Sequence, residues 1–456
     1  MAQIVTVDVS LLNAPTPSKL QRTGAFITQG GTTLTAGNYA LITQMSDLTG
    51  KLAPAQTLSS LVWATNVVTA TTAAAHGFPI GVTVSLTIAG ATPAGYNGTF
   101  SCTITSTTEF TYPLLTNPGT ETVAGTVIPA AVAELTAMGT TFFAQGAANS
   151  VYVLELGLGT PASGVTALTT FINDSPQFFY TYLVPREWAS EPTYVTFVGN
   201  YESTSAKTYF FTTMSLTNYT SFTVQMKDVF GLVEAPAIGA TEFSLAAPFW
   251  NLLNYNPSST NKVTPFNYGF VYGVTPYPTF QNGATLSELA TANISVIGTA
   301  AQGGLSNAMI VGGTTMDGND LTYWYSVDWA QINIALNLAN EIINGSNDAV
   351  NPLYYDQFGI NRLQTRLSDT MNTGASYGLV LGNLMSSELP IAQFMADMDA
   401  GEFLGNYSVN AEPFAAYSSE NPNDFKIGRY AGMATVYTPN RGFDAIIVNV
   451  VVSSFV

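Results

Sequence analysis

Charge is scarce in this chain of 456 residues. Asp, Glu, Lys and Arg together make up 9% of it, against roughly 25% in an ordinary soluble domain. Only 12 residues are Lys or Arg against 29 Asp or Glu, so the formal net charge is −17. Nucleic-acid binding needs cations to neutralise phosphates, and this balance argues against it. The same sign disfavours docking on an anionic membrane surface. Cysteine occurs once, at Cys102, and histidine once, at His76. An internal disulfide framework and a Cys-based zinc cluster are thereby excluded, and any triad or histidine metal site would hang on one residue. Long apolar runs are missing as well. The charge-free stretch from Leu52 to Thr108 is broken throughout by Thr, Ser, Asn, Gly and Pro, whereas a spanning helix needs about 20 apolar residues in a row. An outer-membrane type of barrel would suit the Thr/Tyr alternation, but the long helical patterns near the C-terminus stand against it. The opening Met-Ala-Gln-Ile-Val-Thr-Val-Asp lacks the basic and apolar regions of a secretory signal, so folding in a cytoplasm is expected.

What is present is apolar and aromatic. Hydrophobic residues reach 46%, aromatics 12%, and the mean hydropathy is +0.22. Such a chain folds rather than staying disordered. A surface poor in charge costs little to desolvate, which suggests that other copies cover much of it. The length suggests about two to four domains.

The pattern changes along the chain. From Ile4 to Leu11, Val5, Val7, Val9 and Leu11 share one face while Thr6, Asp8 and Ser10 share the other, as a half-buried strand requires. Ala14-Pro15-Thr16-Pro17-Ser18 breaks this strand and reads as a hinge or linker. Residues 61–128 read as a separate all-β module, with short Val/Thr/Ile/Phe runs cut by Gly, Pro and Asn. Within it Asn97-Gly98 predicts a tight turn. Its landmarks are His76-Gly77-Phe78, Tyr96-Asn97-Gly98-Thr99-Phe100 and Phe110-Thr111-Tyr112. On these the module resembles a small β-sandwich often inserted in phage virion proteins. Beyond it, Phe178–Val184 and Thr208–Thr213 read as strands flanking a helix opened at Glu191-Pro192, a βαβ unit. Ala284–Thr291 reads as a short helix and Ile294–Gly298 as a strand. Ser326 or Asp328 is expected to cap a long helix ended by Asn344-Gly345. A second helix fits Gln357–Thr373, with Ile360, Leu363, Leu367 and Met371 on one face, and a third fits Ile391–Met398. Ala445–Ser453 closes the chain as a β-run in which Ile446, Val448, Val450 and Val452 alternate.

No catalytic constellation emerges, so no enzyme and no cofactor is expected. His76 lies in a Gly-flanked loop and reads as a turn-packing or surface residue. Cys102 reads as a small buried hydrophobe rather than a nucleophile. Asp317-Gly318-Asn319-Asp320 misses the calcium-loop register and reads as a turn. Asp397, Asp399 and Glu402 read as a solvated acidic surface. The Gly303-Gly304 to Gly312-Gly313 stretch has neither a Walker lysine nor dinucleotide spacing. Tyr323-Trp324-Tyr325-Trp329 suits either a core or a sugar platform. The two terminal β-runs say more. Alternating strands at a terminus must pair, either within the chain or with a neighbour, and donation that does not close into a ring gives an open helical polymer.

The segments Ala301-Gln302-Gly303-Gly304-Leu305, Met309 to Thr315, Trp324 to Asp328, Asn351 to Asn361 and Tyr437-Thr438-Pro439-Asn440-Arg441-Gly442-Phe443 resemble, in this order, the sheath proteins of contractile phage tails. The resemblance covers residues 170–456. It implies a multidomain α/β (mixed α+β) fold with a sheath-like C-terminal core, an inserted all-β sandwich module and extended terminal strand arms. The expected parts are an arm and linker over 1–20, a discontinuous α/β domain over 21–60 and 129–320, the module over 61–128, a core over 321–440 and a second arm over 441–456. The family's function would follow: stacked rings around an inner tube, contracting to drive that tube through a host cell envelope. The expected partners are other copies of the chain in a helical homo-polymer, a tail tube protein, and baseplate and tail terminator proteins, with no nucleic acid and no membrane insertion. The expected place is the virion tail, assembled in the host cytoplasm. The arm strands would be carried by Val5, Val7, Val9, Ile446, Val448, Val450 and Val452, the hinge by Pro15 and Pro17. Arg362, Arg366, Lys426, Arg429 and Arg441 are candidates for contact with an acidic tube. A tail-like bacteriocin or secretion-machine sheath shares these features, and a surface adhesin or carbohydrate-binding virion protein is the alternative.

Overall fold

The computed structural model describes residues 20–146, 149–203, 205–222, 226–278, 283–299 and 306–443. All seven arm residues, with Pro15 and Pro17, lie outside this set. The chain divides into two units, one built on residues 20–255 and 265–321, the other on 256–264 and 322–441.

The first unit begins with β1 (Gly24–Thr28), whose five residues are all buried. β2 (Tyr39–Ile42) and α1 (Met45–Thr49) follow, and the chain then leaves the sheet for a six-stranded insertion. Its strands are β3 (Gln56–Ala64), β4 (Val67–Thr72), β5 (Thr83–Ala89), β6 (Gly98–Ile104), β7 (Glu109–Pro113) and β8 (Thr126–Pro129). Each alternates apolar-in and polar-out, so Leu86, Cys102, Phe110 and Val127 fill the interior while Thr83, Thr87, Thr99 and Thr103 face outward. The all-β module is therefore present, but the expected sandwich is a closed barrel in the order β3-β4-β7-β6-β5-β8. The reason is β8, which pairs with both β3 and β5 and so leaves no free edge. Asn97 is not a turn residue. Its φ is −79°, and its side-chain amide instead grips the backbone of Ala91 through two hydrogen bonds of 2.8 and 2.9 Å.

The chain returns through α2 (Ala131–Ala144) to β9 (Val151–Glu155), then α3 (Pro161–Asp174), β10 (Thr181–Leu183), α4 (Pro192–Val198), β11 (Tyr209–Met214) and β12 (Val229–Val233). The sheet order is β12-β11-β10-β1-β9-β2, parallel except for β2. A parallel sheet must be covered on both faces, and the alternating side chains show how. On one face Ala25, Ile27, Tyr182 and Phe210 meet α3 and α4. On the other, Phe26 meets Phe142 of α2 and the ring of Phe249 at centroid distances of 5.4 and 5.8 Å. The expected strand–helix–strand over 178–213 is β10-α4-β11, with Glu191 capping the helix by accepting from the Thr193 N–H. Phe249 belongs to α5 (Ala246–Leu253), after which come α6 (Gly283–Thr291), β13 (Val296–Thr299) and β14 (Ala308–Val311).

The second unit opens on α7 (Leu321–Asn347). The expected cap at Ser326 or Asp328 is overruled, since the helix starts earlier and Ser326 donates its hydroxyl to the Thr322 carbonyl within it. Burial of Trp324, Tyr325 and Trp329 outweighs the local capping signal. α8 (Gln357–Ser376) is capped by Asp356, which accepts from the Gly359 N–H at 2.8 Å, and buries Ile360, Leu367 and Met371 as their spacing predicts. β15 (Leu384–Ser387), α9 (Ile391–Asp399), β16 (Tyr407–Ala411), α10 (Phe414–Glu420), α11 (Pro422–Lys426) and β17 (Met433–Tyr437) complete it. α7 and α8 run antiparallel, tied by Asn337 to Thr370 and by one carboxylate, Glu341. Arg362 donates to Glu341 Oε1 at 2.6 Å, and Arg366 donates to Oε2 at 2.9 Å. Burial alone would raise the Glu341 carboxyl, but these two guanidinium groups hold it below the ordinary range.

Two stability predictions follow from these charges. A group held below its ordinary pKa contributes stability above that value and loses it as pH falls through the folded value. Glu341→Gln is expected to cost about 1–2 kcal/mol at pH 7, discounted for the part-exposed Arg366, and less at pH 3. Denaturant titrations at both pH values check this, and an equal loss at both contradicts it. Asp228 behaves in the opposite sense. It is fully buried ahead of β12, neither carboxylate oxygen has a hydrogen-bond partner, and burial raises its pKa from 3.8 to about 8. Stability is then lost as pH climbs between those values. Asp228→Asn is expected to unfold at a higher temperature than the parent at pH 8 and at a similar one at pH 4; a pH-independent difference contradicts the assignment.

Candidate assembly surface

The three strands of the second unit form a sheet in the order β15-β16-β17. β15 is parallel to β16 and β17 antiparallel to it. The centre of this sheet is firmly fixed. All five residues of β16 are buried, and Tyr407 donates its hydroxyl to Asn372 of α8 at 2.6 Å. Asn410 stitches the strand to the chain after β15, accepting from Ser387 Oγ and the Leu389 N–H at 2.7 and 2.8 Å and donating to the Leu389 carbonyl at 2.9 Å. In the same unit an aromatic group forms in which Tyr355 meets Phe414, Phe425 and Tyr430.

The two flanks differ from the centre. β15 and β17 each pair on one side only among the described residues. Met385 in β15 and the nearby Leu381 are exposed by 42% and 45%. An exposed strand edge with apolar side chains presents unpaired N–H and C=O groups to any extended segment that reaches it. The alternating Val5-Val7-Val9 and Ile446-Val448-Val450-Val452 runs have the pattern of such segments; both lie outside the described residues.

The basic residues singled out from the sequence fall into three groups. Arg362 and Arg366 share Glu341, so both guanidinium groups are engaged within the unit, although one carboxylate balances only one of their two charges. Arg441 lies over the Tyr323 ring at 4.5 Å. Lys426 and Arg429 are exposed at and just beyond the end of α11, where Arg429 also accepts from the Tyr355 hydroxyl through its backbone carbonyl. The sequence order alone carried no signal for the Glu341 clamp, because its partners stand on a different helix.

The other singled-out residues are structural. His76 is buried, stacked on Phe78 at 4.6 Å, and its Nδ1 accepts from the Phe78 N–H; burial lowers its pKa. Cys102 faces the barrel interior, and burial pushes its thiol up to about 12, which makes it a poor nucleophile. Asp317 closes a turn by accepting from Thr315 Oγ1 and the Asn319 N–H. Trp324, Tyr325 and Trp329 are buried, so the aromatic cluster serves as core and offers no sugar platform. Among the described residues, no group of three or more His, Cys, Asp or Glu is placed to hold a metal ion, and no helix is long and apolar enough to cross a membrane.

No protein-family model and no curated protein matches the chain. Solved structures do. A chain of the anti-feeding prophage baseplate, determined by cryo-electron microscopy with six-fold symmetrisation, aligns with a TM-score of 0.55 at 13% identity, covering 100% of both chains. A chain of the same baseplate in its contracted state aligns with a TM-score of 0.47 at 10% identity, over 99% of this chain and 98% of that one. The mixed α/β, multidomain fold of this protein is thus shared, over its whole length, with a chain of the first of these assemblies.

Proposed function

We propose that the chain is a structural subunit of a contractile, phage-like particle, and specifically of its sheath: a homo-polymer of stacked rings around an inner tube, which contracts to drive the tube through a cell envelope. The observation that carries the reading is the full-length fold likeness to an anti-feeding prophage baseplate chain. Three features of the chain support it. Its charge-poor composition suits a surface covered by further copies. Among the described residues the β15-β16-β17 sheet has two edges on which a strand from a neighbour can add. The sequence holds two alternating apolar runs of strand length, one at each end, to supply such strands. Arm addition from one subunit to the next is a heterologous contact, and heterologous contacts that do not close generate helical tubes. The role is mechanical and without catalysis, its place is the particle's tail, and its partners are further copies, a tube protein and the proteins that start and end the sheath. Since Arg362 and Arg366 are both engaged by Glu341 while Lys426 and Arg429 are exposed, contact with an acidic tube falls first to Lys426 and Arg429.

The neighbour's own assembly favours one other reading, a baseplate subunit that joins different proteins rather than copies of itself. Negative-stain electron microscopy of the purified protein separates the two. Long hollow tubes are expected, and their loss on deletion of residues 1–12, with the circular dichroism of the folded body unchanged. Discrete particles under all conditions contradict the sheath reading. In co-assembly with the tube protein, the double substitution Lys426→Glu and Arg429→Glu is expected to release the tube at moderate salt; an unchanged yield of filled sheaths removes these residues from the tube contact.

A further inference from the structure

The parallel strands of the six-stranded sheet stand in the order β9-β1-β10-β11-β12. The chain visits β9 on one side of β1 and then crosses to β10 on the other. Doubly wound sheets of this order take their ligands beyond the carboxyl ends of the strands where the order reverses, which here means beyond β1 and β10. In this protein the crevice is filled by its own side chains. Gln29, just after β1, donates through Nε2 to the Thr160 carbonyl at 2.9 Å and accepts through Oε1 from the Trp188 indole at 3.0 Å.

Glu155, the last residue of β9, is 1% exposed and reaches into the loop that follows β1. Its Oε1 accepts from the Gly30 N–H at 2.6 Å and the Gly157 N–H at 2.8 Å. Its Oε2 accepts from the Thr32 N–H at 3.0 Å and the Thr32 hydroxyl at 2.7 Å. Four donors thus converge on one carboxylate, and among the described residues no Lys or Arg forms an ion pair with it. Three of the four are backbone N–H groups, which can only donate, so the geometry is that of an anion in a backbone nest. Burial raises the carboxyl above the ordinary range even though every donor favours its ionised form. The nest also depends on backbone that L side chains rarely adopt: φ is +80° at Gly30 and +87° at Gly157. A Cβ on Gly30 would also stand 2.9 Å from that of Leu158.

We propose that the loop after β1, with Gly157, is a carboxylate-binding nest whose permanent occupant is the side chain of Glu155, an internal lock beside the crevice that Gln29 fills. The lock joins the end of β9 to the point where the chain departs for β2 and the inserted barrel. Removing the occupant converts the nest into a site for a free small carboxylate. Full-length Glu155→Ala, unfolded thermally at pH 7 in sodium formate and in sodium chloride of equal ionic strength, tests this. A midpoint several degrees below the parent is expected in chloride. Formate should restore at least half of that loss along a saturating curve, while the parent responds alike to both salts. Equal responses of the variant to formate and chloride overturn the proposal. Glu155→Gln decides the matter if the alanine variant does not fold. The amide fills the nest but turns its own donor toward N–H groups, so a lowered midpoint without formate-specific recovery is expected. A glutamine variant as stable as the parent overturns the proposal.

Discussion

The requirement that a parallel sheet be covered on both faces organises the larger unit. β1, β10, β11 and β12 are buried throughout, so every crossover must bring a covering element with it. α3 and α4 cover one face, α2 and α5 the other, and aromatic rings set the spacing on each. With the faces closed, variation is confined to connections. The barrel occupies one of them, between α1 and α2, and it brings its own core and no free edge. It can therefore be carried without disturbing the sheet beneath it.

Scarcity of charge imposes a second discipline. With 12 basic residues, few carboxylates can be matched by a cation, and the buried ones are handled individually. Arg186 serves two of them, pairing with Glu234 and lying 3.6 Å from Glu134 while its guanidinium sits over the Phe243 ring. Glu341 gathers two arginines, and Glu155 uses N–H groups in place of a cation. Asp228 has no such clamp, and burial outweighs what its own N–H and Lys227 offer, so its pKa is raised. Removing one partner from such a group is costly because the other remains buried and unpaired.

What the sequence disclosed follows the range of the forces involved. The strand–helix–strand at β10-α4-β11, the apolar face of α8 and the all-β character of the insertion were legible because periodicity and capping act over a few residues. The start of α7 was misplaced because the packing of Trp324, Tyr325 and Trp329 overrode a local cap. Barrel closure through β8, the Glu341 clamp and the Glu155 nest were invisible, since each joins residues far apart in the chain. Of the candidate assembly surface, the apolar alternation of the arms could be read directly. The one-sided pairing of β15 and β17 among the described residues could not, because an edge is defined by which strand fails to pair.

The proposed sheath role rests on a charge-poor body and on a sheet whose flanking strands, β15 and β17, each pair on one side only among the described residues. Helical reconstruction by electron cryomicroscopy of the assembled protein tests it most directly. The account predicts a tubular lattice in which a segment from a neighbouring subunit lies as an added strand along β15 or β17. A lattice in which both edges remain bare, or contacts made only through the barrel, would contradict it.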